Sequence, residues 1–585
     1  MSLFVGRSFR RSMIVTGAMS AMMTFGLTPS AFAGDDPSAP ASTPSTESKE
    51  VQDLKQQMAD QQKQLEEMRQ ILLGQKKQID SVAASAAAAT PAAPAQPVPT
   101  PKTVDGDVTS LSTIVPPLPV APAPKTALPP APAPAPAPQA SAAAVPDSPL
   151  QLKVGGTTIT PIGFMDMTNT WRSTADGDSL KTNFGKFPYN NSLPLARDSE
   201  DKFSLQNSRV GARFDGAYKD WHYIGYWESD FVGDFAGNNT QVTSNSVLMR
   251  LRLYWVDLRN KHFEVLGGQS WSLLTPNRNG LSALPGDLFY GQEFDVNYLN
   301  GLTWGRIPGI RFIYHSNGDK INFGVSLENA DQYFGGSGGA SSPTLPAASQ
   351  FASDYGNQLD ASQTNDVSIP QLRPDIIAKL AIQPNSRVHV EVAGLSSQFK
   401  VFNTANSTYY TTTGEGGSIN ANFGITPKIH LVTNNFWSDG EGRYLFGEVP
   451  DVIARANGSL SAIHAGSTVD GIEAQVGKFQ FYSYYGGIAS GKNIALDANG
   501  TTPIGWGFKG SSNAQNKAIQ EFTIGWVHTL WRDSKFGALQ EMVQYAYFTR
   551  SPFSVAANTP KNAHQDAIWF DLRYVLPGSA PSVTY

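Results

Sequence analysis

Residues 321–328 read Ile-Asn-Phe-Gly-Val-Ser-Leu-Glu. Ile321, Phe323, Val325 and Leu327 alternate with Asn322, Gly324, Ser326 and Glu328, and a period of two puts each set on its own face of a strand. The alternation recurs in both directions along the chain. Upstream, Val210, Ala212 and Phe214 stand opposite Arg209, Arg213 and Asp215, while Leu251, Leu253 and Trp255 alternate with Arg250, Arg252 and Tyr254. Downstream, Val388, Val390 and Val392 oppose Arg387, His389 and Glu391, and Ile568, Phe570, Leu572 and Tyr574 alternate with Trp569, Asp571 and Arg573. Each segment is a strand with one apolar and one polar face.

Two architectures bury such strands. A soluble sandwich turns the apolar faces inward, whereas a transmembrane barrel turns them to lipid and lines a wet lumen with the polar ones. Charges two apart on one strand, such as Arg250 and Arg252, suit a channel wall. Trp221, Tyr223, Trp255, Trp437, Trp526 and Trp531 fall near strand ends, as interfacial girdles do. Short connections (Lys219-Asp220, Arg259-Asn260-Lys261) alternate with long ones such as Ala330 to Pro370. A hairpin with one short turn and one long loop takes roughly 50 to 55 residues, so the region 149–585 holds about 16 to 18 strands. The expected fold is all-β, a transmembrane antiparallel barrel wide enough for an aqueous channel.

Composition agrees. Of 585 residues only 16% are charged, against about 25% in an average soluble domain, and 53 are Gly. The absence of Cys excludes a disulfide framework and a thiol nucleophile. A net charge of -5 argues against a nucleic-acid partner.

The segments before the barrel read as an address and a spacer. Arg7, Arg10 and Arg11 precede a mostly apolar run from Met13 to Leu27, and Ala31-Phe32-Ala33 offers a cleavage site. Residues 1–33 are thus expected to be a secretory signal peptide. Residues 34–50 are expected to be disordered. From Val51 to Val82 a seam spaced three and four apart (Val51, Leu54, Met58, Gln61, Leu65, Met68, Leu72, Gln75, Ile79, Val82) predicts a short α-helical coiled coil, hence a homo-oligomer. Residues 83–148 are Ala/Pro-rich, with Ala-Pro repeated up to Pro138, and form an extended linker. The coiled coil and linker would lie in the periplasm, where contact with peptidoglycan is expected.

One connection stands apart. Ser272 to Asn300 runs about thirty residues and carries Arg278, Asp287, Glu293 and Asp295. Folded into the lumen, it would narrow the pore and set its carboxylates against Arg209, Arg213, Arg250 and Arg252. Opposed charges across a constriction orient dipolar solutes, and an arginine-rich wall favours anions. An ordinary solvated surface loop is the alternative.

The exported start, heptad helix, linker and porin-sized barrel, with Gly267-Gly268-Gln269-Ser270-Trp271 ahead of a long third loop, resemble the DcaP-like family of trimeric outer-membrane porins. The long Ala/Pro linker departs from that pattern. The resemblance implies a 16-stranded barrel in outer-membrane lipid, a homotrimer, and passive uptake of small organic anions such as dicarboxylates. Near the C-terminus the alternation stops at Leu576 before Pro577-Gly578, which leaves open which segment closes the barrel.

Other chemistry is not written in the chain. The eight His are scattered without metal-ligand spacing, no motif selects a Ser–His pair, and no cofactor is expected. An outer-membrane hydrolase and a barrel-anchored tether to the cell wall are the competing readings. A plugged lumen would favour the tether.

Overall fold

The computed structural model describes residues 148–176, 180–188, 194–233, 247–288, 294–336, 341–347, 358–361 and 369–579. Sixteen antiparallel strands form a closed wall. In chain order they are β1 (Thr157–Arg172), β2 (Arg209–Tyr218), β3 (Trp221–Asp230), β4 (Arg250–Arg259), β5 (Phe263–Trp271), β6 (Arg306–His315), β7 (Ile321–Glu328) and β8 (Asp375–Asn385). The second half runs β9 (Val388–Asn403), β10 (Thr408–Thr426), β11 (Ile429–Asp439), β12 (His464–Val476), β13 (Phe479–Ser490), β14 (Asn516–Asp533), β15 (Gly537–Pro552) and β16 (Ala563–Val575). Every strand pairs with its sequence neighbour, and β16 pairs with β1 from Phe164↔Val575 to Arg172↔Ala567. The closing segment left open by the sequence is therefore 563–575. An even strand number brings the two ends of the barrel segment to the short-turn end, where the Ser148 hydroxyl donates to the Pro577 carbonyl (2.8 Å) and Gly163 N–H to Ser579 Oγ (2.8 Å).

The polarity of the wall is that of a membrane barrel. On β7, Ile321, Phe323 and Leu327 are exposed on the outside, whereas Asn322, Ser326 and Glu328 are buried on the inside. The same inversion runs through β6 (Ile310, Phe312 and Tyr314 out, Arg311 and His315 in) and β8 (Ile376, Leu380 and Ile382 out, Asp375 and Lys379 in). Closure pairs every central strand on both sides, which is what hydrocarbon demands of a backbone.

The expected fold class is corrected in one part. Among the described residues the only helical turns are short 3₁₀ pieces such as Pro194–Arg197 and Gly442–Tyr444, with no α-helix. The α-helical coiled coil expected at 51–82 is not among the described elements: that stretch lies outside the described residues, as do 1–33, 34–50 and 83–147.

A second correction falls on β4. Glu228 pairs with Leu253 and Ser229 with Leu251, so Arg252 is an extra residue in a β-bulge. Beyond it the faces swap. Leu251 is 49% exposed to the outside, Leu253 is fully buried inside, and Tyr254 is 64% exposed. Trp255 likewise turns inward and stacks on Tyr226 (ring centroids 5.2 Å apart) instead of joining an interfacial girdle.

Candidate pore constriction

On β2–β4 the inner wall is a block of ion pairs. Arg209 lies opposite Asp230 across the β2–β3 ladder, and Asp230 lies opposite Arg250 across β3–β4. Arg250 donates to both oxygens of Asp230 (3.1 and 2.8 Å). Arg252, the bulge residue, points inward beside it, fully buried, with one bond to Glu228 (2.7 Å), one to Asp230 (2.7 Å) and one to the Tyr298 hydroxyl (2.7 Å). Arg209 reaches Glu228 at 3.6 Å, and Arg213 binds Asp215 on its own strand (2.9 and 2.7 Å). Planar guanidinium forks suit such paired contacts, and burial makes each depend on its partner.

The third long loop, 272–305, lies across the lumen. Its root is closed by Ser272 N–H to the Gly305 carbonyl (2.7 Å). From there its backbone donors find acceptors on inward-facing side chains of the far wall. Asn277 N–H bonds Glu391 on β9 (3.1 Å), Thr303 N–H bonds Asn434 on β11 (3.0 Å), Asn300 N–H bonds Glu521 on β14 (2.7 Å), and Phe294 N–H bonds Gln544 on β15 (3.2 Å). Buried N–H groups outside a ladder need such partners. Arg278 makes a two-pronged pair with Glu473 on β12 (2.8 and 2.6 Å), and Tyr484 adds a third bond to that carboxylate (2.7 Å). Close approach is built in: at Gly301 (φ +91°) a Cβ would lie 2.8 Å from the carbonyl oxygens of Thr468 and Gly487.

The loop carboxylates do not meet the four wall arginines as a set. Asp287 is raised above the usual carboxylate range by burial, opposed by a Ser282 hydrogen bond and by Arg213, the wall arginine it faces. Asp295 accepts from Thr182 N–H (3.0 Å) and Asn297 N–H (2.8 Å), and burial pushes it up to about 6. It ties the third loop to the first. Glu293 lies outside the described residues. The group that does bind the arginine wall is Tyr298, held at φ +64° and wedged beside Trp271 and Trp304 (ring centroids 5.8 and 5.0 Å).

Several residues of the site were not singled out from the sequence. Glu228 and Asp230 are the partners of Arg250 and Arg252, and finding them needs strand register. Glu473 and Glu521 were hidden for the same reason. Arg306 opens β6, and its guanidinium lies over Trp271 (5.4 Å) and Trp304 (5.5 Å). Its Nη1 has no hydrogen-bond partner among the described residues. With it, the strands alone carry five guanidiniums (Arg209, Arg213, Arg250, Arg252, Arg306) against three carboxylates (Asp215, Glu228, Asp230), an excess of two positive charges within the wall, and Asp287 of the third loop faces Arg213.

A closed barrel of sixteen antiparallel strands, apolar outside and charged inside with one loop laid across the lumen, is the architecture of outer-membrane porins. Among solved structures, the outer membrane channel DcaP of Acinetobacter baumannii matches it with a TM-score of 0.51 at 15% identity, over 72% of this chain and 99% of that one. OmpT of Vibrio cholerae matches over 73% of this chain and 99% of its own, at 11% identity and a TM-score of 0.39. OmpF of Salmonella typhi, solved in complex with daunomycin, matches over 72% and 100%, at 10% identity and a TM-score of 0.35. The DcaP likeness is one of fold. The sequence matches no protein-family model and no curated protein. Among the described residues no group of three or more His, Cys, Asp or Glu is arranged to hold a metal.

Proposed function

We propose that this protein is an outer-membrane porin, a passive diffusion channel for small hydrophilic solutes that favours organic anions such as dicarboxylates. The observation that carries the preference is the excess of guanidiniums on the β2–β4 wall and at Arg306, beside the loop that crosses the lumen. Guanidinium stays charged at any physiological pH and binds carboxylates through paired bonds, so this wall would concentrate anions and repel cations. Current through planar bilayers in a salt gradient is the test. A reversal potential of anion sign supports the reading, and cation selectivity overturns the substrate preference.

The same reading includes a homotrimer in the outer membrane. Thr433, Asn435, Thr468 and Asp470 form a hydrogen-bonded ring on the outward face of β11 and β12. Thr433 and Thr468 donate to Asp470 (2.7 and 2.9 Å), and Asn435 donates to Thr433 (2.8 Å). The ring sits between Leu431 and Ile472 on one side and Trp437 on the other, at mid-strand. Charge facing lipid at mid-depth costs up to about 2–4 kcal/mol for Arg or Lys and less for Asp. A neighbouring protomer would meet this ring better than hydrocarbon does. Native mass in detergent checks it: a trimer in the unmodified chain, weakened in Asp470→Leu, is the expected outcome.

A further inference from the structure

The sixth long loop, 440–463, joins β11 to β12 and also folds inward. Tyr444, Leu445, Val449 and Ile453 are buried in one apolar cluster with the inward residues Leu395, Phe436 and Ile488. It is fastened to the third loop by Trp304 N–H to the Tyr444 carbonyl (3.3 Å) and to the fourth by Asp451 N–H to the Tyr333 carbonyl (3.0 Å). A second buried cluster joins its Val452 and Ala454 to Phe399 and Val401 of β9.

This buried loop carries Glu441, Glu448 and Asp451, each with no exposed surface. Further acids crowd in from neighbouring elements: Asp375 at the start of β8 faces both Glu441 and Asp451, Asp331 of the fourth loop faces Asp451, Asp360 lies beside Asp331, and Glu328 at the end of β7 faces Tyr444. The cation among them is Arg443, which binds Asp375 (2.7 Å), while its backbone N–H binds Asp451 (2.9 Å). Ser397 donates to Glu441 (3.0 Å) and Tyr444 to Asp375 (3.0 Å). Even so, Asp375 Oδ1, Glu441 Oε1 and Asp451 Oδ2 are buried without a hydrogen-bond partner among the described residues. Glu448, on the other side of the loop, faces Lys186 of the first loop and Arg550 of β15. Carboxylates packed round one guanidinium, away from water, cannot all ionise at acceptable cost.

We propose that loop 440–463 is an acid-closed plug, held in the barrel mouth while the carboxylates around Arg443 are protonated and released when they ionise. The proposal rests on the channel reading above. Burial pushes Glu441, Glu448 and Asp451 well above the usual carboxylate range, and Asp331 up to about 6. In the released loop these groups would titrate near the ordinary value of about 4. Below that value both positions are protonated and the inward position keeps its full stability. As pH rises toward the raised values, only the released loop ionises freely, so the inward position loses stability.

The test is single-channel recording of the full chain in planar bilayers at about pH 4.5 and about pH 7.5, either side of the value of about 6 for Asp331 and both above the ordinary carboxylate value. Open probability is expected to rise at least about threefold at the higher pH, since a single shifted carboxylate already supplies that factor. Glu441→Gln with Asp451→Asn imitates the protonated state and should hold the channel shut at the higher pH. Should that variant fail to fold, deletion of 442–461 serves instead and should give a large conductance at both values. Wild-type conductance independent of pH overturns the plug. So does an acid response that survives the deletion. Absence of any conductance, at either pH and in the deletion, overturns the channel reading instead.

Discussion

On β2–β4 the charges of the inner wall satisfy one another: Arg250 and Arg252 share Asp230, and Arg209 and Arg252 share Glu228. On the far side of the ring the carboxylates of β9, β12 and β14 turn to the third loop. Glu473 binds Arg278, Glu521 accepts from Asn300, and Glu391 accepts from Asn277 while pairing with Lys379 (2.7 Å). The first wall pairs its charges among its own strands, takes one bond to the loop, from Arg252 to the Tyr298 hydroxyl, and keeps spare positive charge. The second is finished only when the loop lies on it. The loop is thus bonded to the acidic side and leaves the arginine side with guanidinium to offer a solute.

The largest expected effect comes from cutting the acidic side. Glu473→Ala removes the carboxylate that Arg278 binds with two bonds, a loss of about 3–5 kcal/mol for a buried pair broken at one end. The third loop should leave β12, and single-channel conductance should rise while thermal stability falls. Removing both partners, Glu473→Leu with Arg278→Met, should recover most of the stability. A double variant as unstable as the single one would show that the pair is not what holds the loop.

Arg306→Gln comes next. Its contacts are the faces of Trp271 and Trp304, so the substitution frees no carboxylate and loses about 0.5–2 kcal/mol of cation–π attraction. Selectivity should move modestly toward cations, more at low salt than at high, because a Debye length of about 10 Å at 0.1 M already weakens the field. Equal shifts at both salt concentrations would contradict an electrostatic origin.

The smallest effect belongs to Glu521→Gln. An amide oxygen still accepts from Asn300 N–H, and the net difference is about 1 kcal/mol or less. Melting temperature and conductance should hardly move, whereas Glu521→Leu, which leaves the Asn300 N–H without that acceptor, should lower both stability and loop order.

The wall itself was legible from residues such as Ile321 to Glu328, because a period of two survives any register. Leu253 and Trp255 were misread for a related reason. One extra residue, Arg252, inverts every side chain after it, and alternation on a single strand cannot reveal an insertion that only the partner strand defines. The arginines were visible as polar-face residues, yet Glu228 and Asp230 lie on another strand and pair with them only through register. Arg278 and Glu473 are 195 residues apart, a separation no local pattern spans. Asp295 was legible as a loop carboxylate but not as the acceptor for Thr182 N–H, since loop backbones advertise no periodicity.

Reversal potential in a potassium chloride gradient, compared between the unmodified chain and Arg250→Ser with Arg252→Ser, bears most directly on the arginine wall. The double substitution removes two guanidiniums, strips Asp230 of both its arginine partners, and turns the wall's excess of two positive charges into balance. Anion selectivity in the unmodified chain, lost or reversed in a folded double variant, is the expected result. A cation-selective parent, or a reversal potential that the substitutions leave unchanged, would contradict it.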